Sequence, residues 1–447
     1  MRHPLSAPVA AAGATTALFT DHYELTMLRA SLVDGTADRR CVFELFARRL
    51  PAGRRYGVVA GTSRALDALA AFTFDDETLG WLHDAGVVDQ ATCQWLASYR
   101  FSGDVWAYPE GETYFPGSPL VVVEGSFAEA VVLETLLLSV FNHDAAIASA
   151  ASRMTGVAGD RPCIEMGSRR THEQAAVAAA RAAYVAGFTA TSNLQAGRSY
   201  GVPTTGTSAH SFTLLHDTER GAFTAQVEAL GVGTTLLVDT YDIAEAVGLG
   251  VDVAGPGLGA VRIDSGDLPS LAHAVREQLD SLGATGTRVI VTGDLDEHAI
   301  AALAAAPVDG YGVGTSVVTG SGHPTCGFVY KLVAREDASG VLVGVAKASR
   351  DKVSIGGRKW ALRRLRADGV AEAEVIGIGH CPADDGDDRE LLVPMVRAGE
   401  RIHEETLEES RARHHRSRAE LPDSARQLSR GEPAIPTVWE TAPGGTT

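Results

Sequence analysis

One histidine lies in a setting where an imidazole could do chemistry. His210 stands between small residues in the run Gly206–Ser211, directly after a short β-branched stretch. A neutral imidazole can attack a phosphoryl group, although a single histidine is more often a structural residue. Whether His210 is functional therefore depends on which groups the fold brings beside it.

A cation and two carboxylates share the short segment Val261–Leu268. Arg262 can face an anion, whereas Asp264 and Asp267 can accept hydrogen bonds from ribose hydroxyls or bind Mg²⁺. A structural alternative is that Asp267 caps the helix that follows and Arg262 pairs with Asp264. Capping by one aspartate does not account for the whole cluster, so the segment indicates a ligand site.

Two further segments offer groups that bind phosphate. Gly312, Gly314 and Thr315 place backbone N–H groups close together, with no glycine side chain to obstruct an anion. A tight turn after a strand would have the same pattern. Arg169 is the first of two adjacent arginines, and at least one of the pair is suited to a phosphate or a carboxylate.

The middle of the chain alternates short apolar runs with alanine-rich helical patterns. This alternation predicts a parallel sheet, and six or more such units favour a closed barrel over an open sheet. Polar residues follow these runs at Gly167–Arg170, Ser208–His210, Asp264–Asp267, Gly293-Asp294 and Gly312–Thr315. Because the carboxyl ends of barrel strands converge on one mouth, we expect a single site there. The predicted strands are 163–166, 187–191, 204–207, 234–238, 261–263, 288–291 and 310–313.

The whole chain is predicted to be an α/β protein. Its main part is an irregular TIM-like α/β barrel, accompanied by an N-terminal α/β domain that C-terminal strands complete. The predicted divisions are an N-terminal domain with a long helix leading into the barrel (1–155), the barrel (156–330), the returning strands and helix (331–425) and a mobile tail (426–447).

Composition restricts the class of protein. The chain has 447 residues, of which 45% are hydrophobic and 21% are charged, as is usual for a globular protein with a large interior. A formal charge of −17 argues against nucleic acid or an anionic membrane as a partner. The five cysteines are scattered singly, which predicts neither a disulfide framework nor a zinc site and fits a cytoplasmic location. We expect no membrane span, because no uninterrupted apolar run approaches ~20 residues.

Taken together, these segments resemble nicotinate phosphoribosyltransferases, and the resemblance extends over nearly the whole chain. Their joint order and spacing carry the resemblance. The segments are Thr20–Met27, Phe43–Phe46, Arg48–Pro51, Leu133–Thr135, Glu165–Arg170, Gly206–Ser211, Arg262–Leu268, Gly312–Thr315 and Lys347–Ser349.

The resemblance implies a type II phosphoribosyltransferase acting in NAD biosynthesis. Such an enzyme forms nicotinate mononucleotide and pyrophosphate from nicotinate and PRPP, coupled to ATP through a phosphorylated histidine. It also implies a homodimer with shared active sites, and Mg²⁺ carried by PRPP or pyrophosphate rather than fixed by the protein.

Residue roles follow from the same resemblance. His210 would be the phosphorylated histidine, and Arg262 and Asp264 the other catalytic residues. The neighbouring subunit would supply Asp21 and Tyr23, with the Tyr23 ring against the pyridine. The remaining substrate-binding residues would be Ser211, near the nicotinate carboxylate that Arg262 meets; Gly312, Gly314 and Thr315, at the 5-phosphate; Arg169, at the phosphates of the mouth; and Asp267 and Gly293.

Other functions stay open on the sequence alone. Nicotinamide phosphoribosyltransferase shares the fold and the phosphohistidine but would favour a hydrogen-bond acceptor near the ring. Quinolinate phosphoribosyltransferase would have to neutralise two carboxylates and would not need ATP. A phosphosugar lyase or isomerase would need a Schiff-base lysine or a general-base carboxylate on a strand, and the predicted barrel strands contain no lysine. A non-catalytic metabolite-binding protein would leave His210 and the pair Asp264 and Asp267 unexplained.

Overall fold

The computed structural model describes residues 15–347 and 355–441. Contacts divide the chain into two compact units. The central unit comprises residues 150–322, and the outer unit combines residues 1–149 with 323–447. The predicted barrel therefore begins inside the central unit, at 156, and ends past it, at 330. Ala348 and Ser349, which belong to the resemblance, lie outside the described residues.

Helices and strands make up the first part of the outer unit, and the last helix of this part extends past residue 150 into the central unit. Two of its helices begin at aspartates, since Asp75 and Asp89 accept hydrogen bonds from the backbone N–H groups of Thr78 (2.8 Å) and Thr92 (2.9 Å). The elements are α1 (His22–Asp34), β1 (Arg40–Ala47), β2 (Gly57–Val58), α2 (Thr62–Ala70), α3 (Asp76–Asp84), α4 (Gln90–Ala97), β3 (Asp104–Ala107), β4 (Thr113–Tyr114), β5 (Pro119–Ser126), α5 (Phe127–Val131) and α6 (Glu134–Ala158).

The stretch from α5 through α6 is the most apolar helical region. By length and composition, Phe127–Ala158 could cross a membrane, contrary to the expectation from sequence, and 67% of its most apolar window is buried inside the structure. Glu129 belongs to a capping box with Ser126 at the start of α5. Such burial is typical of a core helix.

The central unit is built from strand–helix repeats. Its strands are short and its helices lie between them in sequence, as the alternating pattern predicts. The elements are β6 (Cys163–Glu165), α7 (Glu173–Val185), β7 (Ala190–Thr191), α8 (Leu194–Tyr200), α9 (His210–Leu215), α10 (Glu219–Leu230), β8 (Thr235–Leu237), α11 (Ile243–Ala254), β9 (Ala260–Ile263), α12 (Leu268–Ser281), β10 (Arg288–Val291), α13 (Glu297–Ala302), β11 (Gly310–Val313) and α14 (Thr315–Val318).

The central strands form a curled parallel sheet with the order β7-β6-β11-β10-β9-β8. The last strand, β11, pairs with the first, β6, as in a barrel. Beyond β7 there is a single parallel bridge between Thr191 and Thr204. Within the described ranges no pairing joins this bridge to β8. The α/β architecture is confirmed, but closure is incomplete, because the predicted strand 204–207 has no apolar side chain to bury.

The C-terminal part returns to the outer unit. Its seven-stranded sheet has the order β13-β12-β1-β5-β3-β17-β18, so C-terminal strands flank the N-terminal ones and complete their sheet, as predicted. The elements are β12 (Phe328–Glu336), β13 (Leu342–Gly344), β14 (Lys359–Leu365), β15 (Ala371–Ile378), β16 (Arg389–Glu390), β17 (Val393–Arg397), β18 (Glu400–Arg401), α15 (Leu407–Ala419) and β19 (Thr437–Thr441).

One segment of the predicted mobile tail is ordered by sheet pairing. Strand β19 pairs in parallel with β15, for example Val438 with Val375, in a four-stranded sheet of order β16-β14-β15-β19. This strand was not predicted, because the sequence before it is rich in proline and glycine. Residues 442–447 lie outside the described residues.

Candidate active site

His210 is the first residue of α9, and groups that follow β8 orient its ring. Its Nδ1 is hydrogen-bonded to the Thr240 hydroxyl at 3.2 Å, and its Nε2 lies 3.9 Å from Oδ1 of Asp239. The imidazole is 42% exposed, whereas the Asp239 side chain is only 2% exposed. The ring is therefore accessible to a ligand while a buried carboxylate lies beside it.

Asp239 also holds the turn that follows β9. Its Oδ2 accepts hydrogen bonds from the backbone N–H of Asp264 (3.0 Å) and from the hydroxyl of Ser265 (2.8 Å). Its Oδ1 is buried and has no hydrogen-bond partner in the described part of the chain. Sequence analysis missed Asp239 and Thr240, although both directly follow a predicted strand, which is the signal that selected the other segments.

The turns after β9, β10 and β11 approach one another closely. The Thr292 hydroxyl donates to Oδ1 of Asp264. Gly293 has a φ of +119°, and a Cβ there would lie 3.0 Å from the Asp264 carbonyl oxygen. A Cβ on Gly312 would lie 2.5 Å from the methyl group of Thr292. A continuous series of contacts thus runs from His210 through Asp239, Asp264 and Thr292 to Gly312 in β11.

Arg262 lies in β9 with its side chain partly buried. The guanidinium donates to the Thr207 hydroxyl, and its Nε is buried without a hydrogen-bond partner among the described residues. Burial lowers the pKa of Arg262, the carboxylates of Asp264 and Asp239 oppose that shift, and the cation Arg169 adds to it. Since arginine stays charged in proteins, Arg262 can bind an anion that takes the vacant Nε–H.

The turn after β6 presents Arg169 to solvent. Glu165, which is 1% exposed, accepts hydrogen bonds from the backbone N–H of Gly167 and from the Thr191 hydroxyl. Burial raises the pKa of the Glu165 carboxyl. Glu165 is a third residue outside the predicted site residues, and its contacts hold the backbone that carries Arg169.

The turn after β11 packs directly on this Arg169 turn. A Cβ on Gly167 would lie 2.3 Å from Cγ1 of Val318 and 2.8 Å from the Gly314 carbonyl oxygen. The backbone of Gly312–Thr315 therefore lies against the Gly167 backbone with no side chain between them. Thr315 itself is exposed.

Two structural roles were considered for the residues of the β9 turn, helix capping by Asp267 and an ion pair between Arg262 and Asp264, and they are found only in part. Asp267 stands at the N-cap position of α12, but its side chain makes no capping bond there and accepts instead from the Ser270 hydroxyl at 2.7 Å. In the described ranges there is no ion pair within 4.0 Å between Arg262 and Asp264. Ser211, beside His210, is exposed.

Asp21 and Tyr23 lie in the outer unit, so the central unit alone assembles the other predicted site residues. Asp21 is exposed at the N-cap of α1. Tyr23 is 44% exposed, and its pKa is raised by burial and then by the carboxylates of Glu134 and Glu24. The phenol is therefore neutral, and the side chain is partly exposed. Lys347, a further residue of the resemblance, is exposed.

Comparison with known proteins places this chain in a family. The family model for the nicotinate phosphoribosyltransferase (NAPRTase) N-terminal domain matches residues 18–142. The chain is 58% identical over 429 residues to a nicotinate phosphoribosyltransferase of Mycobacterium tuberculosis, covering 94% of each protein. It is 38% identical over 362 residues to that of Bacillus subtilis, covering 77% of this chain and 72% of the relative. The fold matches human nicotinic acid phosphoribosyltransferase with a TM-score of 0.79 and 27% identity, over 94% of this chain and 97% of the human one. The chain belongs to the nicotinate phosphoribosyltransferase family.

Proposed function

We propose that the chain transfers ribose 5-phosphate from PRPP to nicotinate, forming nicotinate mononucleotide and pyrophosphate in NAD biosynthesis, and that it consumes ATP through phosphorylation of His210. Family membership supports the transfer reaction. The observation that carries the proposal is the position of His210 beside Asp239, the buried carboxylate that also holds the Asp264 turn. Both substrates and the phosphorylated residue would thus share one network.

His210 is the proposed phosphoryl acceptor. A ring nitrogen attacks the γ-phosphorus of ATP, the N–P bond forms and the bond to ADP breaks. The exposed ring allows the approach of ATP, and the contact to Thr240 holds the ring plane. The carboxylate of Asp239 stabilises the positive charge that develops on the imidazole during the attack.

Arg262 is the proposed partner of the nicotinate carboxylate, with Ser211 near it. The buried Nε–H of Arg262 has no hydrogen-bond partner in the part of the chain that the structure describes. A carboxylate would satisfy that donor in a charge-assisted hydrogen bond, and such a bond contributes about 1.5–3 kcal/mol. This contact favours nicotinate over nicotinamide, whose neutral amide gains less from the guanidinium.

PRPP is proposed to lie across the turns after β6, β9, β10 and β11. The amides of Gly312–Thr315 bind the 5-phosphate, Arg169 binds phosphate at the mouth, and Asp264 and Asp267 accept hydrogen bonds from the ribose hydroxyls. When pyrophosphate leaves C1, positive charge develops on the ribose ring, and the pyridine nitrogen attacks the opposite face. The protein contributes orientation and fixed charge rather than covalent chemistry in this step.

The carboxylate oxygens at this site are suitable ligands for the Mg²⁺ that PRPP carries. Asp239 and Asp264 offer carboxylate oxygens, the hard ligands that Mg²⁺ prefers, and Oδ1 of Asp239 is buried with no hydrogen-bond partner among the residues described. When bound, the cation would offset the negative charge of the pyrophosphate.

Asp21 and Tyr23 are proposed to reach the site from a second subunit of a cytoplasmic homodimer. The partial exposure of the neutral Tyr23 side chain supports stacking on pyridine. The singly placed cysteines, none of which forms a disulfide in the structure, support a reducing compartment.

A product assay tests this function. The purified chain is supplied with PRPP, Mg²⁺ and either nicotinate, nicotinamide or quinolinate, each with and without ATP, and the mononucleotides and ADP are separated by chromatography. We expect nicotinate mononucleotide, and more of it with ATP, which is converted to ADP. Product from quinolinate without ATP, or from nicotinamide alone, would reassign the substrate. No product from any of the three would favour a barrel enzyme of another class.

A further inference from the structure

A second buried carboxylate, Glu297, joins separate segments of the central unit. It is the first residue of α13 and is 5% exposed. Its Oε1 accepts a hydrogen bond from Nε of Arg153 in α6 at 2.9 Å, and the two side chains form a buried ion pair. Its Oε2 accepts from the Ser321 hydroxyl at 2.7 Å. The carboxylate thus holds the end of the segment that follows α14.

Ser321 has a backbone conformation that a serine rarely adopts. Its φ is +52°, and its neighbours Gly320 and Gly322 have φ values of +62° and +81°. The Ser321 backbone N–H donates to the Ser316 carbonyl at 2.7 Å and so terminates α14. A residue with a Cβ is disfavoured in this region unless the surroundings compensate. Here the hydroxyl of Ser321 is bound by Glu297 and its N–H by the Ser316 carbonyl.

Both ends of this network lie next to turns of the candidate site. Helix α14 begins at Thr315, directly after Gly314, and its Val318 lies against Gly167. At the other end of the network, a short turn connects Gly293 to Glu297. A displacement of α14 would therefore move the backbone amides of Gly312–Thr315 and would disturb the Gly167 turn at the same time.

We propose that Ser321, Glu297 and Arg153 are positioning residues, which act through α14 to hold the Gly312–Thr315 amides in the geometry that binds a sugar 5-phosphate. The proposal rests on the proposed function of that turn. The Arg153–Glu297 ion pair fixes the carboxylate, the carboxylate fixes Ser321, and Ser321 fixes the end of α14. Because α14 is only one turn long, its own hydrogen bonds do not hold it in place.

Two substitutions of one residue test the proposal. Ser321→Ala removes the hydroxyl and keeps the disfavoured backbone, whereas Ser321→Gly removes the hydroxyl and relieves the backbone. We expect both to raise the dissociation constant of ribose 5-phosphate, measured by calorimetry, and the KM for PRPP by about 3- to 10-fold, the effect of one hydrogen bond. The KM for nicotinate should stay within about twofold. A merely structural role would lower the melting temperature of Ser321→Ala and leave both phosphate-dependent constants unchanged.

Ser281→Ala is the matched control, since it removes an exposed serine hydroxyl that donates to the Gln278 carbonyl within α12. It should bind ribose 5-phosphate like the unaltered chain. Equal affinity of the two Ser321 variants and the unaltered chain would overturn the positioning role and leave the proposed function standing. If the unaltered chain itself does not bind ribose 5-phosphate, the phosphate site fails, and the positioning role fails with it.

Discussion

The two ends of the central strands use their polar residues in opposite ways. The amino ends lie beside a cleft of about 650 Å³ whose lining includes Arg161 and Arg276. Arg161 donates to the carbonyls of Leu303 (3.1 Å), Ala304 (3.0 Å) and Ala306 (3.3 Å), and also to the Tyr311 hydroxyl. This arginine therefore satisfies the carbonyl groups left over at the end of α13.

Arg276 is engaged in the same way. It pairs with Asp280 at 2.6 Å and donates to the carbonyls of Thr287 and Ala284. At the carboxyl ends, by contrast, Nε of Arg262 and Oδ1 of Asp239 are buried and lack hydrogen-bond partners within the described ranges. Buried polar atoms without partners are costly, so their presence at one end indicates a place for a ligand. A polar cleft is therefore weaker evidence of function than polar groups left unsatisfied.

The largest effect on activity is expected for His210, whose imidazole lies at the carboxyl ends of the central strands. His210→Ala removes the phosphoryl acceptor, so ATP hydrolysis coupled to product formation should fall by about 10³-fold or more. ADP release and nicotinate mononucleotide formation measure this loss. The melting temperature should hardly change, because the ring is partly exposed. Full ATP-coupled turnover by this variant would show that another residue is phosphorylated.

A smaller and more selective loss is expected at Arg262. Arg262→Gln removes a charge-assisted hydrogen bond, so kcat/KM for nicotinate should fall by roughly 10- to 100-fold. Any residual turnover of nicotinamide should be unaffected, because its amide carries no charge for the guanidinium to pair. If kcat/KM fell equally for both substrates, Arg262 would instead bind PRPP or hold the segment of Thr207 in place.

Much of this mouth could be predicted from sequence, since polar residues that follow apolar runs are brought together wherever parallel strands curl. That rule found His210 and Asp264 without any knowledge of their partners. It also applied to Asp239, which was missed because a single aspartate after a strand does not stand out as a cluster does. Its importance comes from the contacts to His210 and Asp264, which are distant in sequence.

Other features depend on tertiary structure and could not be predicted. The strand β19 forms where β15 offers an edge beside it, and the proline- and glycine-rich sequence around β19 does not indicate that pairing. The hydrogen bond between Ser321, whose backbone is left-handed, and Glu297 likewise joins residues that lie in different elements.

Substitutions at the amino ends of the central strands should lower the stability of the protein and leave its activity unchanged. Arg161→Ala leaves several carbonyl groups without a donor, and the free energy of unfolding should decrease by about 1–3 kcal/mol. Urea denaturation measures this change, and the folded variant should keep its kcat/KM for PRPP and nicotinate. A loss of kcat/KM without a loss of stability would contradict the contrast between the two ends.

The smallest effect is expected for Glu165, and it concerns stability. This residue lies at the carboxyl ends of the strands, yet its hydrogen bonds are to other groups of the protein, so it tests the contrast between the two ends. Burial raises its pKa in the folded chain, whereas the unfolded chain keeps the ordinary value near ~4.3. Below that value both states are protonated and no penalty exists. As the pH rises toward the folded pKa, only the unfolded chain releases the proton, so the free energy of unfolding falls. In urea denaturation at several pH values, this pH-dependent fall should be smaller in Glu165→Gln than in the unaltered chain, and unchanged in the control Glu228→Gln, whose carboxylate is exposed. The same pH dependence in all three proteins would show that Glu165 is not the group responsible.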